Sequence, residues 1–192
     1  MKYIFLLAFF TMSGAIYSQS FKPTSISAAY FAESMTHPGV KLALNYEFAS
    51  WKQSKARRDG KSKTIESSFS ISPSLGFFYH KDYQTGFFAM PEFGYTRKKV
   101  NGNFVTFGLG AGYMRTIIPD VYDLNSDGEA VQANAGYNYF LTNYFFAFGK
   151  DLSARFDTPL SIYVKPQFMY ALPGTPKGVW YFAAELGVSY RL

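Results

Sequence analysis

The 192-residue chain contains no cysteine. That excludes a disulfide framework, a thiolate metal centre, a thiol nucleophile and the lipid-bearing cysteine of a lipoprotein. Histidine is nearly missing as well, so imidazole chemistry is confined to His37 and His80. Charged residues make up only 17% of the chain, and the mean hydropathy of −0.08 is too low for helical membrane spans. The one long apolar run lies at the start, over Tyr3 to Phe10, behind a basic Met1-Lys2 and ahead of the small and polar stretch from Ser13 to Ser20. This run falls well short of the roughly 20 apolar residues that a spanning helix needs. The pattern instead predicts a secretory signal peptide over residues 1–18, cleaved near 18–20, followed by one domain over 21–192.

What the chain has in excess is aromatic side chains, 20% of all residues, with 21 Phe and 16 Tyr. Their placement follows a period of two. Trp180, Phe182, Ala184, Leu186, Val188, Tyr190 and Leu192 fall on one face of the last segment, and Tyr181, Ala183, Glu185, Gly187, Ser189 and Arg191 on the other. One apolar face and one polar face describe a strand with lipid outside and a filled polar lumen inside. The same alternation recurs at Val40 to Phe48, Phe69 to Tyr79, Phe87 to Tyr95, Val105 to Tyr113 and Leu160 to Tyr170. With weaker strands near Thr24 to Ser34 and Tyr144 to Asp151, the expected fold is all-β, an eight-stranded antiparallel transmembrane β-barrel with up-and-down meander topology.

An even strand count places both termini on the periplasmic side. The turns at Met35 to Pro38, His80 to Thr85, Ile118 to Asn143 and Leu172 to Gly178 are then extracellular, and the basic linker Lys52 to Lys63 is periplasmic. The stretch from Asp120 to Asn143 admits two readings. It is a long loop carrying its own hairpin, or two further strands joined by Leu141-Thr142-Asn143 that would leave Thr24 to Ser34 outside the barrel. The first is preferred, because Asn125-Ser126-Asp127-Gly128 reads as a tight hairpin turn.

An eight-stranded lumen is just wide enough to be filled by side chains. The charges predicted to face it are Lys41, Glu47, Glu92, Lys165, Glu185 and Arg191, and in so narrow an interior they must pair, because a lone buried charge is costly. An ion or proton path is the functional reading of the same residues. Gly108, Gly110 and Gly112 would leave room for bulky inward groups opposite them. The net charge of +6, or +5 without Lys2, suits phosphorylated head groups or an acidic partner, and also plain loop solubility.

Three local features invite chemistry. Asp123, Asn125 and Asp127, followed by Gly128, match the opening half of a calcium loop, but Asn134 stands where the bidentate glutamate belongs. An Asx-rich hairpin turn explains the same letters. His37 and His80 share one predicted rim, with Asp82 beside His80, and offer a histidine-assisted hydroxyl nucleophile. Lipid A deacylases and palmitoyl transferases are eight-stranded barrels that work in this way, but the deacylases' His-x-Ser on one strand face is absent. The basic linker is a solvated loop or a contact for acidic lipid or a partner subunit. Nucleic acid is not expected for an exported chain.

The Ser18-Gln19-Ser20 stretch, the Thr36-His37-Pro38-Gly39 turn, the Gly110-Ala111-Gly112-Tyr113-Met114-Arg115-Thr116 segment, Phe148-Gly149-Lys150-Asp151-Leu152 and the final Glu185 to Leu192 together resemble the small outer-membrane β-barrel proteins of the Bacteroidota, of OmpA/OmpX-like architecture. The resemblance implies an outer-membrane location, a wall in contact with lipid, assembly through the C-terminal strand, and no particular activity. Leu192 departs from the Phe or Trp that ends many proteobacterial barrels. The expected role is non-enzymatic: a structural, binding or accessory-subunit barrel without cofactor or metal, possible partner to a larger outer-membrane protein. The alternatives are a lipid-modifying hydrolase or acyltransferase at the outer rim, and a soluble lipocalin-like barrel with its apolar faces inward.

Overall fold

A chain that alternates lipid-compatible and polar side chains leaves backbone groups unpaired at the edges of any open sheet, and closing the sheet on itself removes those edges. The computed structural model shows that closure, and describes residues 22–192 apart from 35, 57–61, 82, 120, 126–127, 133–134 and 173–177. The expected signal peptide lies outside the described residues. The elements are β1 (Ser25–Glu33), β2 (His37–Ala56), β3 (Ser62–His80), β4 (Gln84–Lys99), β5 (Asn103–Ile117), β6 (Tyr122–Leu124), β7 (Ala130–Gln132), β8 (Asn138–Asp151), a single helical turn α1 (Ser153–Phe156), β9 (Leu160–Leu172) and β10 (Val179–Arg191). The wall is one closed antiparallel barrel in the order β1-β2-β3-β4-β5-β8-β9-β10, with β10 paired back to β1. This is the expected eight-stranded transmembrane meander. β6 and β7 form a separate small hairpin between β5 and β8. Of the two readings of residues 120–143, the loop with its own hairpin is the one observed.

Several boundaries differ from expectation. β8 begins at Asn138, so the outer loop is shorter than Ile118 to Asn143, and the change of phase falls before Tyr139, which is buried while Tyr137 and Phe140 are exposed. The described residues of the basic stretch Lys52 to Lys63 are strand, not linker: β2 continues to Ala56 and β3 starts at Ser62, paired from Lys52↔Glu66 to Ala56↔Ser62. Polar residues on both faces are compatible with a strand once the ribbon has left lipid, because the ladder still satisfies the backbone. His37 and His80 are not in turns but are the first residue of β2 and the last of β3.

Tracing paired residues round the wall from Glu33, at the end of β1 that the even strand count predicts to face outward (the outer end), leads through Ala183, Gln167, Phe145, Gly108, Gly94 and Ser70 to Glu47, which lies beyond the partner of Ser25 at the opposite, inner end of β1. This stagger is the strand tilt that barrel closure demands. The ladder is interrupted at three places. The pairing skips Leu44 and Asn45 against Ser72 and Pro73, Met90 and Pro91 against Ala111 and Gly112, and Phe146 and Ala147 against Lys165 and Pro166. Each gap contains a proline, which has no N–H to give to the ladder. A bulge between Glu47 and Ala49 adds Phe48, whose ring packs near those of Phe69 and Phe93 on the outer surface.

The lumen has two halves, where the alternation predicted a polar one throughout. Toward the outer end Phe31, Phe78, Phe88, Met90, Met114, Leu141 and Met169 point inward and pack into a dry plug. Toward the inner end, where Leu192 donates its N–H to the Thr24 carbonyl at 3.0 Å, lies a cavity of about 600 Å³ lined by hydroxyls including Ser27, Ser68, Ser70, Ser72, Thr96, Thr106 and Ser161. The outward positions of every strand carry exposed apolar side chains such as Leu42, Leu75, Leu109, Val164 and Leu186.

Candidate functional site

Between plug and cavity lies a ring of charge. Lys41 on β2 donates to Glu92 Oε1 on β4 and to Glu185 Oε1 on β10, each at 2.7 Å. Lys165 on β9 donates to Glu92 Oε2 at 2.7 Å and lies 3.5 Å from Glu185. Asn143 on β8 donates to Glu92 at 2.7 Å and to Gln167 at 3.0 Å, and Gln167 donates to Glu185 at 2.9 Å. The Lys165 ammonium also sits 4.3 Å from the centre of the Phe145 ring. All six polar residues are buried, and the two lysines balance the two glutamates. Such an array survives burial because each charge is both paired and hydrogen-bonded.

The sequence places these charges by inward phase alone, and the register decides which of them meet. Lys41, Glu92, Lys165 and Glu185 are brought together. Glu47 and Arg191 are not: Glu47 lines the hydroxyl cavity, and Arg191 pairs with Asp151 Oδ2 at 2.5 Å near its mouth. Each lies six residues nearer the inner end than the ring residue of its own strand, Lys41 on β2 and Glu185 on β10, about 20 Å away at the rise of a strand. Asp151 also lies 3.5 Å from Lys98, which reaches Glu66 at 3.1 Å. Gln167 and Asn143 belong to the ring although neither carries a charge for a sequence reading to catch. Asn143 Oδ1 has no hydrogen-bond partner among the described residues.

The outer rim gathers a second cluster. The imidazoles of His37 and His80 are stacked, with ring centres 3.6 Å apart. His37 Nδ1 is paired with Glu33, and the Ser34 hydroxyl donates to the other oxygen of the same carboxylate. The Tyr83 ring lies 5.1 Å from that of His80. Glu33 is buried and faces His37 directly across the β1–β2 hairpin. Its place in the cluster follows from the hairpin register, a signal present in the sequence but not used in reading it. Ser34 holds a positive φ of 46°, unusual for a residue with a side chain. Chemically, a carboxylate on Nδ1 orients an imidazole, but the nearby serine hydroxyl is engaged by Glu33 and not by either ring. Asp82 lies outside the described residues.

In the outer loop, Asn125 Oδ1 accepts the Glu129 N–H at 2.8 Å, and the Asn125 carbonyl accepts the Gly128 N–H at 3.0 Å. The side chain therefore serves the hairpin turn between β6 and β7. Asp123 is exposed, while Asp127 lies outside the described residues. Among the described residues no group of His, Cys, Asp and Glu side chains is arranged to hold a metal ion.

No family model matches the chain, and no curated protein matches it. Solved structures do. The outer membrane enzyme PagL is 14% identical, over 88% of this chain and 99% of its own, with a TM-score of 0.49. The N-terminal β-barrel domain of Pseudomonas aeruginosa OprF is 13% identical, over 88% of this chain and 98% of its own, with a TM-score of 0.39. The β domain of the Bordetella autotransporter BrkA is 9% identical, over 88% of this chain and 97% of its own, with a TM-score of 0.30. These structural neighbours are outer-membrane β-barrel proteins, and identities this low carry no residue's role from them to this chain.

Proposed function

We propose that the protein is a non-enzymatic barrel of the outer membrane, exported through its N-terminal signal, with a structural, binding or accessory-subunit role. The observation that carries this reading is the filled cross-section. A ring whose charges are all paired stands beneath an apolar plug, so among the described residues the lumen offers neither a channel nor an internal pocket open to the outer side. On the outer side what is available is the exterior: the loop between β5 and β8, and an aromatic wall set in lipid or against a larger outer-membrane protein; the hydroxyl-lined cavity opens at the inner end alone. β10 is the strand offered to the barrel-assembly machinery.

Extraction of the native protein in mild detergent, followed by the mass and composition of its particle, tests the role. Recovery with a larger membrane protein at fixed stoichiometry is the result expected of an accessory subunit. A lone barrel directs attention to the outer loop.

A second reading rests on the Glu33–His37–His80 cluster, whose oriented imidazole suits a hydrolase or acyltransferase acting on lipid A or phospholipid at the outer rim. The paired variant His37→Ala with His80→Ala separates the two. A binding or structural barrel keeps its phenotype and the cell's lipid A composition unchanged, whereas loss of a lipid modification would make the rim an active site.

A further inference from the structure

The inner end of β4 carries consecutive cations that the fold treats differently. Lys98 points into the lumen and is paired with Glu66 and Asp151. Arg97 and Lys99 point outward, and neither has a hydrogen-bond or ion-pair partner among the described residues. Lys150, on the outward face of β8, is in the same condition. It pairs in register with Asn103 of β5, the strand that separates β4 from β8. Among the described residues the outward face offers these cations no carboxylate, since Glu66 and Asp151 both line the lumen.

Directly along the wall from these cations the surface is aromatic. Arg97 is followed by Tyr95 and then Phe93 on the outward face of β4, with Phe107 and Leu109 paired beside them on β5 and Tyr144 beside Leu109 on β8. Together with Phe69 these residues line an apolar groove of about 680 Å³ in the outer surface. Gly108 lies at its base, where a methyl group would meet the Phe93 carbonyl oxygen at 2.1 Å, and that close approach lets β4 and β5 sit against the Phe145 ring. Successive outward residues on a strand are roughly 6.6 Å apart, so Arg97 lies one such step and Lys99 two from the edge of the groove at Tyr95.

An apolar groove in a lipid-facing wall takes an acyl chain, and an unpaired cation at the membrane interface takes a phosphate. The groove runs toward the middle of the bilayer and the cations lie at the end that bears the chain termini, the periplasmic end of an even-stranded barrel. The geometry points to a site for an anionic phospholipid of the inner leaflet, its phosphate held by Arg97, Lys99 and Lys150 and one acyl chain lying between Phe93, Tyr95, Phe107, Leu109 and Tyr144. Positive charges without a neighbouring carboxylate favour an anionic head group over a zwitterionic one, whose amine would find no partner. The site is independent of whether the outer rim binds or catalyses.

Native mass spectrometry of the purified full mature chain in detergent tests it, with phosphatidylglycerol and phosphatidylcholine of identical acyl chains added at equal concentration. The wild type is expected to retain phosphatidylglycerol at least about tenfold more strongly. Arg97→Gln with Lys99→Gln reduces that preference to near parity and leaves phosphatidylcholine binding as it was. Phe107→Ala with Tyr144→Ala weakens both lipids alike. Lys22→Gln with Lys81→Gln removes the same charge at other exposed positions and changes nothing. Equal retention of both lipids by the wild type, an equal loss in the Lys22/Lys81 control, or displacement of the lipid by inorganic phosphate alone would overturn the assignment. The wild-type comparison decides even if a variant fails to fold.

Discussion

Lys41 holds two carboxylates from opposite sides of the barrel, and its removal would leave Glu92 and Glu185 sharing one cation, Lys165, in a buried site. Breaking a buried pair by deleting one partner typically costs about 3–5 kcal/mol, mostly the penalty of the charge left behind. Lys41→Met is therefore expected to lower the unfolding free energy by about that amount in urea titrations in detergent micelles. Lys41→Met combined with Glu185→Gln restores neutrality and is expected to lose less than the single variant. Gly108→Ala is a steric counterpart. The added methyl group would meet the Phe93 carbonyl oxygen at 2.1 Å and the Phe145 ring at 2.5 Å. Because one obstacle is backbone, trimming Phe145 to Leu does not relieve it, and a loss of about 1–3 kcal/mol is expected for Gly108→Ala alone and in the Phe145→Leu background.

Among the elements, β4 is the one most open to improvement. Pro91 lies in a ladder gap between Ala89↔Tyr113 and Glu92↔Gly110 on its β5 side, and on its other side it faces Pro73 of β3, where the pairing is unbroken. Pro91→Val supplies the missing donor without crowding, since the position is exposed on the outer wall. A gain of about 0.5–1.5 kcal/mol is expected, read as a higher midpoint in the same titration. The strands themselves were legible from alternation, prolines included, because a residue's face depends only on its parity within a strand. Met90 falls on the inward face by phase, beside Glu92, but the apolar plug that Phe31, Phe78 and Met114 build with it is not legible, because apolar residues suit both lipid and an interior and the inward face of such a barrel is expected to be polar. Lys41, Glu92, Lys165 and Glu185 could be found by phase, while the exclusion of Glu47 and Arg191 needed the stagger between strands, which no single segment encodes. Glu33 escaped notice because its partner His37 was placed in a turn, although the hairpin pairs the two directly.

At the scale of the whole molecule, the apolar plug and the ring close the barrel to ions. In planar bilayers the protein is expected to show no single-channel conductance above baseline, and stepwise currents would contradict the filled lumen. The three prolines have a collective effect as well. Their ladder gaps fall at β2/β3, β4/β5 and β8/β9, and the remaining pairings are continuous apart from the bulge at Phe48. The wall is thus divided into three stiff staves, β3–β4, β5–β8 and β9–β10–β1–β2, joined along softer seams. A tube built in this way ovalises more easily than it shears, so lateral pressure from the bilayer would flex it at those seams while the charged ring keeps the staves from parting.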